Sequence, residues 1–281
     1  MKAKVILIIT SLFIVGLLTF LYSRFISTSG FIVKEYKLSN SKIESSYHGF
    51  KIVHISDIHY GSIINKKQLD KIVERINLIE PDIVVFTGDL FVVKDELDIN
   101  LEEFGKSLSK IKATIGRYAI NGNHDYEHIK EYEKVIKLSG FKDINDSYEL
   151  IYKDSNKPIF LAGMSTNLYG TLSTSDKINP ILEELEKVDS TYNILLLHEP
   201  DFIKEIDHSK FDLALSGHSH NGQVRFPILG AIYTPIGSKD YYDEHYKLDN
   251  TDLYISSGLG TSLLNLRFLN KPSFNYYRLT K

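Results

Sequence analysis

Gly122-Asn123-His124-Asp125 follows a short apolar run at residues 118–120, and this junction decides how the chain folds. The apolar run is typical of the end of a buried strand, whereas the four residues after it are small or polar and belong where a strand leaves the core. Asn123 carries an amide oxygen, His124 an imidazole and Asp125 a carboxylate, which are groups that bind metal ions or transfer protons. A single stretch of this kind is more often an ordinary turn.

The same pattern, an apolar run that ends in groups able to bind a metal, occurs four more times in the chain. In open α/β sheets, ligands bind in the crevice beyond the carboxyl ends of the strands, so all five endings are expected to meet in one place. Separate turns would require five coincidences, and we therefore interpret the endings as one site. Residues 52–56 precede Asp57-Ile58-His59, residues 83–87 precede Gly88-Asp89, residues 194–197 precede His198, and residues 213–216 precede Gly217-His218-Ser219-His220.

Composition limits the class of protein. The 281 residues, 43% apolar and 25% charged, are enough for one substantial core and are typical of a folded chain. The formal net charge of -3, without a local cluster of lysine and arginine, argues against nucleic acid as a required partner. The chain has no cysteine, so any metal would be bound through nitrogen and oxygen atoms.

Residues 5–22 form a continuous apolar run without a charged side chain. As a helix this run would reach about 27 Å, close to the hydrocarbon thickness of a bilayer. We predict a transmembrane anchor at residues 5–22, after a tail at 1–4 and before a linker at 23–30, with the metal-binding domain at 31–281. The alternative is a signal peptide, whose apolar region is usually shorter, and Ser27-Thr28-Ser29 matches a cleavage site poorly.

The charges that flank the apolar run bear on its orientation. Lys2 and Lys4 favour an amino terminus inside the cell, which would place the domain outside the cytoplasm at the cell membrane. Basic residues on the other flank weaken this bias.

The first half of the domain has the pattern of alternating strands and helices. A strand is predicted at residues 31–38. Asn65 is expected to cap a helix whose apolar residues recur at helical spacing from Leu69 to Ile79, and Pro81 ends that helix before the strand that leads to Asp89. Strand, helix and strand in this order predict a parallel crossover and an α/β fold.

The remaining elements are predicted by the same signals. A helical stripe runs from Leu97 to Ile111, and a helix at residues 129–138 is expected to end at Gly140. Asn179-Pro180 has the pattern of a helix start. Late strands are predicted at residues 223–226, 252–256 and 274–279.

The strand endings supply two carboxylates, one amide and four imidazoles. This number exceeds what one tetrahedral ion can use but suits two ions that share a carboxylate. In Asp57-Ile58-His59 and in His218-Ser219-His220 the two groups are one residue apart, and in an extended segment both would point to the same side. The candidate metal ligands are Asp57, His59, Asp89, Asn123, His198, His218 and His220.

In this order the motifs D-x-H, G-D, G-N-H-D, H and G-H-x-H resemble those of the calcineurin-like metallophosphoesterases. The resemblance extends from Lys51 to His220 and implies a two-sheet α-β-β-α sandwich with a centre for two divalent metal ions, manganese, iron, zinc or a mixture. The flanking sequences at residues 222–227 and 257–261 are similar to those of the membrane-associated bacterial branch of this family.

The resemblance also implies a role for each residue. His124 would contact the substrate phosphate, together with Asn123, or protonate the leaving group, and Asp125 would orient His124. Arg225 is a further candidate for the substrate phosphate, with a solvated strand charge as the alternative. Asp57, His59 and His220 would hold one metal ion, Asn123, His198 and His218 would hold the other, and Asp89 would bridge both.

The function expected from these features is metal-dependent phosphohydrolysis by a metal-bridging hydroxide. We expect a phosphodiesterase or pyrophosphatase rather than a monoesterase. The anchor favours a lipid-linked or envelope phosphate ester as its substrate, and no protein partner is implied. A phosphomonoesterase or phosphoprotein phosphatase is one alternative. A catalytically silent metal-binding scaffold is another.

Overall fold

The computed structural model describes residues 2–92 and 99–281, and its centre is a pair of six-stranded sheets. The first sheet has the order β1 (Ile32–Ser39), β14 (Ser273–Thr280), β2 (Lys51–Ile55), β3 (Ile83–Thr87), β4 (Gly116–Ile120) and β5 (Lys142–Asp143). The second has the order β12 (His245–Leu248), β13 (Thr251–Ile255), β9 (Leu213–Ser216), β8 (Tyr192–Leu196), β7 (Ile159–Gly163) and β6 (Ser147–Ile151). A small hairpin joins β10 (Arg225–Phe226) to β11 (Gly230–Ala231).

The helices of the described residues are α1 (Lys2–Leu21), α2 (Lys66–Asn77), α3 (Leu101–Leu108), α4 (Asn123–Glu127), α5 (Ile129–Ser139) and α6 (Thr174–Leu185). Four of them cover the outer faces of the sheets. The apolar faces of α2, α3 and α5 pack on the first sheet, and α6 packs on the second. A third apolar layer fills the space between the sheets. The predicted four-layer α-β-β-α sandwich is therefore confirmed.

Strand residues alternate between these layers because successive side chains of a strand point to opposite faces. In β2, Val53 and Ile55 pack under the helices, whereas Ile52 lies in the layer between the sheets. The strands next to the centre are buried on both faces, which explains why they read as continuous apolar runs rather than as alternating ones.

The predicted crossover is present. β2 and β3 pair in parallel, and α2 connects them. The Asn65 side chain accepts a hydrogen bond from the backbone N–H of Gln68 at 3.2 Å, as expected for a helix cap. Gly140 ends α5 in the left-handed conformation with φ of 70°.

One expectation is wrong, and another falls partly outside the described residues. The helix expected to start at Asn179-Pro180 begins earlier, at Thr174, because Ser173 and Asp176 form a capping box there, and Pro180 lies inside the helix on its exposed side. The stripe from Leu97 begins outside the described residues, and α3 starts at Leu101.

The amino-terminal helix projects from the domain. Within the described residues, the one segment long and apolar enough to cross a membrane is Lys2–Ile26, whose last five residues form a π-helical turn. It meets the domain at its end, where the backbone N–H of Arg267 donates to the carbonyl of Ser23 at 3.1 Å. The ring of Tyr22 packs edge-on against Phe268, with centroids 6.1 Å apart.

Candidate metal centre

The five strand endings that the sequence singled out meet at the carboxyl ends of β2, β3, β4, β8 and β9. Their ligand atoms form three groups in which all atoms lie within 4.8 Å of one another. Asp89 belongs to two of these groups, and its Oδ2 lies 3.3 Å from His198 Nε2 and 3.6 Å from His59 Nε2. The three groups are Asp57, His59 and His220; His59, Asp89 and His124; and Asp89, His198 and His218.

The four histidines expected as ligands each have one ring nitrogen engaged outside the cluster. His59 Nδ1 lies 2.9 Å from the carbonyl of Phe91, and His198 Nδ1 lies 2.6 Å from that of Thr87. When Nδ1–H donates to these carbonyls, Nε2 is left with a lone pair directed into the site, which is the arrangement typical of metal-binding histidines.

His218 and His220 complete the set. His218 Nε2 lies 2.7 Å from the carbonyl of Ile236, so that its Nδ1 is left for a ligand. His220 Nδ1 lies 3.2 Å from Nη2 of Arg267, and its Nε2 faces His59 Nε2 at 3.1 Å. Because a guanidinium can only donate, His220 Nδ1 accepts here and its Nε2–H donates to His59 Nε2, and a metal at His220 Nε2 would have to displace that proton.

Two buried polar atoms at this edge support the same interpretation. Asn123 Oδ1 and His198 Nε2 have no hydrogen-bond partner among the described residues. A buried acceptor without a partner costs about 1–3 kcal/mol, so such atoms are retained where they bind something else. Both residues were expected to bind the same ion, and the residues present therefore fit a divalent metal with nitrogen and oxygen ligands.

Burial shifts the pKa of two of these groups, whereas mutual attraction between Asp89 and His198 outweighs burial, lowering the pKa of Asp89 and raising that of His198. Burial lowers the pKa of His59 to about 3, which keeps its imidazole neutral and able to bind a metal. Burial also raises the pKa of Asp57 to about 7. A carboxylate in this position would be stabilised by a neighbouring cation.

The backbone at the ligands is turned rather than extended. Asp57 and His59 have φ of 49° and 42°, and Asp89, His218 and His220 also have positive φ. The expected extended D-x-H and H-x-H segments are therefore wrong, and the paired side chains reach one site through left-handed turns. Non-glycine residues in this conformation are strained, and they persist where the surrounding structure fixes them.

Two glycines allow this close approach. Gly88 has φ of 94°, and a Cβ there would lie 2.5 Å from the backbone nitrogen of Gly122 and 2.7 Å from His198 Nδ1. A Cβ on Gly122 would collide with the carboxylate of Asp89. The two glycines therefore allow the β3 and β4 endings, which carry candidate metal ligands, to approach each other closely.

Asp125 is placed differently from the expectation. Its buried carboxylate accepts hydrogen bonds from the backbone N–H groups of Asp89 at 2.7 Å, Leu90 at 2.7 Å and Gly122 at 2.9 Å. The expected hydrogen bond from Asp125 to the imidazole of His124 is not among its contacts in the described structure. Asp125 thus holds the loop that carries Asp89, and it acts on His124 through the short helix α4.

Arg225 also differs from the expectation. Its guanidinium donates to the carbonyl of Asn221 at 2.8 Å and to the carboxylate of Asp243 at 2.6 Å. The side chain is therefore committed to bracing the segment after His220, and the alternative of a strand charge describes it better than a phosphate contact does.

The structure adds residues that the sequence did not single out. Arg267 is fully buried, and its Nη2 donates to the carbonyls of Ser257 at 2.7 Å and Gly258 at 3.1 Å and lies beside His220. Arg267 lies far from the motifs in the sequence, so the motifs gave no indication of this role. One signal was the arginine between apolar neighbours in a segment without a charge partner.

A buried chain of hydrogen bonds also reaches Asp57. His54 Nε2 lies 2.8 Å from Thr87 Oγ1, which donates to Ser56 Oγ at 2.9 Å, and Ser56 Oγ donates to Asp57 Oδ2 at 2.6 Å. His54 is fully buried, and the sequence did not single it out. Its position on β2, three residues before Asp57, was the available signal.

The fold and the site together define the class of this protein. A four-layer sandwich with carboxylate, amide and imidazole groups gathered at the carboxyl ends of its central strands is the arrangement that the motif resemblance implies for a metal-dependent phosphoesterase. The sequence model described as calcineurin-like phosphoesterase matches residues 50–222. The chain therefore belongs to the calcineurin-like phosphoesterase family, and the resemblance seen in its motifs is confirmed.

Relatives extend over more of the chain than the family model does. The uncharacterized metallophosphoesterase YkuE of Bacillus subtilis (strain 168) is 30% identical over 260 residues, which covers 92% of this chain and 88% of YkuE. The uncharacterized metallophosphoesterase YkoQ of the same organism is 25% identical over 97% of this chain and 99% of its own length. A "Transmembrane protein with metallophosphoesterase domain" from Danio rerio is 26% identical over 85% of this chain and 55% of its own length.

Proposed function

We propose that the protein is a membrane-anchored phosphohydrolase with a dinuclear metal centre, which cleaves phosphodiester or diphosphate bonds in a lipid-linked or envelope substrate. The observation that carries the proposal is the position of Asp89, which is shared between a cluster with His59 and a cluster with His198 and His218. One carboxylate between two sets of imidazoles is what a pair of cations requires. Asp57, His59 and His220 would hold one ion, Asn123, His198 and His218 the other, and Asp89 both.

The chemistry divides between the ions and the chain. Manganese, iron or zinc ions bound there would supply a water that ionises near neutral pH and positive charge for the phosphate oxygens. Asn123 and His124, at the start of α4, face the same space and would orient the phosphate. His124 Nε2 lies 3.8 Å from Asp89 Oδ2, and its side chain is 18% exposed, so it can pass a proton to the oxygen of a departing alcohol.

The anchor supports a substrate at the membrane. Lys2–Ile26 is long and apolar enough to span a bilayer, and the Danio rerio relative is named a transmembrane protein. We extend the expected domain division to this proposal: a tail at residues 1–4, an anchor at 5–22, a linker at 23–30 and a catalytic domain at 31–281 outside the cytoplasm.

The test uses the full chain in detergent with manganese, and it compares a chromogenic phosphodiester, a diphosphate and a phosphomonoester on one preparation. Wild-type protein should turn over the diester or diphosphate faster than the monoester. Asp89→Asn should abolish turnover, whereas Asp70→Asn, a surface carboxylate on α2, should leave it unchanged. Equal turnover by Asp89→Asn and wild type would contradict the proposal.

The alternatives give different results in the same assay. A faster monoester reaction would favour a phosphomonoesterase or phosphoprotein phosphatase. Two bound ions per chain with no hydrolysis of any ester would favour a metal-binding scaffold.

A further inference from the structure

An apolar surface lies beside the metal centre, at the foot of the amino-terminal helix. We call it the apolar ledge. It consists of the β10–β11 hairpin and the loop that follows Thr261, and its exposed residues are Phe226, Ile228, Leu229, Ile232, Leu263, Leu264 and Leu269. Leu229 is 74% exposed and Leu263 78%. A contiguous set of large apolar side chains at such exposure is typical of an interaction surface.

The two halves of the apolar ledge are joined to each other. The side chain of Gln223 donates to the carbonyl of Leu264 at 2.8 Å and accepts from the backbone N–H of Ser262 at 3.3 Å. The rings of Phe226 and Phe268 pack with centroids 5.0 Å apart. The hairpin and the loop therefore present their apolar side chains as one surface.

The apolar ledge is continuous with the helix that is apolar enough to span a membrane. Phe268 contacts Tyr22, and the N–H of Arg267 donates to the carbonyl of Ser23. Phe25 and Ile26, at the end of that helix, are 61% and 57% exposed. If the helix crosses a bilayer, the domain surface at its foot must face the lipid, and this surface is the apolar ledge.

The apolar ledge is also joined to the metal ligands. Asn270, at its far end, donates to the carbonyl of His220 at 2.6 Å, and the carbonyl of Ile236 lies 2.7 Å from His218 Nε2. Ile236 is itself 74% exposed. A surface that touches lipid at this position would bring the metal centre to the level of the phosphate groups of the membrane.

We propose that the apolar ledge inserts into the interfacial layer of the bilayer that holds the amino-terminal helix, and that the substrate is the phosphate ester of a lipid taken from that layer. The choice of a bilayer, rather than a second copy of the chain, rests on the continuity with the helix. The substrate class rests on the proposed function, whereas the insertion does not. Amphipathic surfaces with large aliphatic tips are suited to this depth of the membrane.

The first experiment measures insertion without relying on activity. The chain contains no cysteine, so Ile228→Cys gives a single site for an environment-sensitive fluorophore in the full chain reconstituted in phosphatidylcholine and phosphatidylglycerol vesicles. The matched control is Leu78→Cys, 68% exposed. α2 runs back from the carboxyl end of β2 to the start of β3, so Leu78 lies at the end of the sheet opposite the metal ligands.

The fluorophore at position 228 should shift its emission to the blue, be quenched by spin labels on the lipid chains and resist aqueous iodide. The fluorophore at position 78 should show the reverse. Equal iodide quenching at both positions would overturn the insertion. Protection at position 228 that disappears when the protein is diluted with lipid would overturn it as well, and would indicate a second copy of the chain.

The second experiment tests the substrate class. Ile228→Glu/Leu229→Glu should raise the apparent KM for a phosphodiester lipid in vesicles by about tenfold or more, since two apolar side chains leave the lipid. Its turnover of a soluble chromogenic diester should equal that of wild type. Equal losses on both substrates would overturn the proposed substrate class. Failure of wild type to cleave any diester or diphosphate would instead refute the proposed function and leave the fluorescence result standing.

Discussion

Asp125 is the subject of the most specific prediction, because the sequence predicts that it orients His124 whereas the structure shows it bonded to backbone N–H groups. The three backbone N–H groups that it accepts belong to the β3 ending and to the start of α4. Asp125→Asn keeps the shape but offers one oxygen in place of two. If the remaining oxygen keeps its hydrogen bonds from the N–H groups of Asp89 and Gly122, the N–H of Leu90 loses its acceptor and faces the new amide group.

The cost follows from this geometry. Losing one hydrogen bond to a charged acceptor in a buried site, and leaving its donor unpaired, amounts to about 2–4 kcal/mol. For a domain of this size that corresponds to a fall in the melting temperature of roughly 5–15 °C. Displacement of the Asp89 loop should also weaken manganese binding by about 10–100-fold, the usual effect of losing support behind a metal ligand.

The measurements are thermal unfolding and manganese titration of the full chain in detergent. The control is Asp146→Asn, since Asp146 accepts bonds from the N–H and hydroxyl of Ser165 away from the metal site. This control should lower the melting temperature but leave manganese affinity unchanged. An Asp125→Asn variant that binds manganese and melts like wild type, and loses only its turnover, would refute this role and restore the expected contact with His124.

Three further predictions follow from other side chains. His124→Ala should lower kcat by about 10²–10⁴ while metal content, measured by elemental analysis, stays at the wild-type level; a loss of metal in this variant would show that His124 is a ligand instead. Arg267→Met should lower manganese affinity by about 10–100-fold. Arg267→Lys should recover only part of that affinity, because its ammonium keeps the charge but lacks the guanidinium fork; unchanged titrations in both variants would contradict this role. Burial lowers the pKa of His54 to about 3 from 6.5, so the folded state binds fewer protons than the unfolded chain between these values and stability falls as pH falls. At pH 5 this amounts to about 2 kcal/mol, and the metal-loaded His54→Gln variant should lose stability on acidification less steeply than wild type; parallel curves of melting temperature against pH would contradict it.

The sequence was sufficient to predict that these side chains meet, because each candidate ligand follows the end of an apolar run and one local signal therefore locates both the strand and the polar groups after it. Asp57, Asp89, Asn123, His198 and His218 could each be located in this way. The fold class followed from the order of the same runs. Such signals do not predict the backbone conformation after each strand. Simple alternation predicts extended segments at Asp57 and His59, whereas the structure has left-handed turns there.

Long-range support could not be predicted for a related reason. The partners of Asp125 and Arg267 are mostly backbone groups, and which backbone groups lie nearby depends on how the endings pack rather than on residue type. The wrong helix start at Asn179-Pro180 is a local example of the same problem. Ser173 with Asp176 offered a second possible cap for the backbone N–H groups of the helix. The choice between the two depends on tertiary packing of residues such as Ile178 and Ile181.

Arg267 connects the metal centre and the apolar ledge through opposite ends of one residue. Its guanidinium is bonded to the carbonyls of the loop that packs on Asp57 and His220, while its backbone N–H is bonded to Ser23 at the end of the amino-terminal helix. A buried guanidinium whose acceptors are backbone carbonyls holds a loop in one shape, because each lost bond would leave a buried carbonyl unpaired. The loop that shapes one side of the metal centre is therefore the same loop that meets the helix. Substitution of Arg267 should consequently change both manganese affinity and the iodide accessibility of a fluorophore at position 228, whereas His124→Ala should change neither.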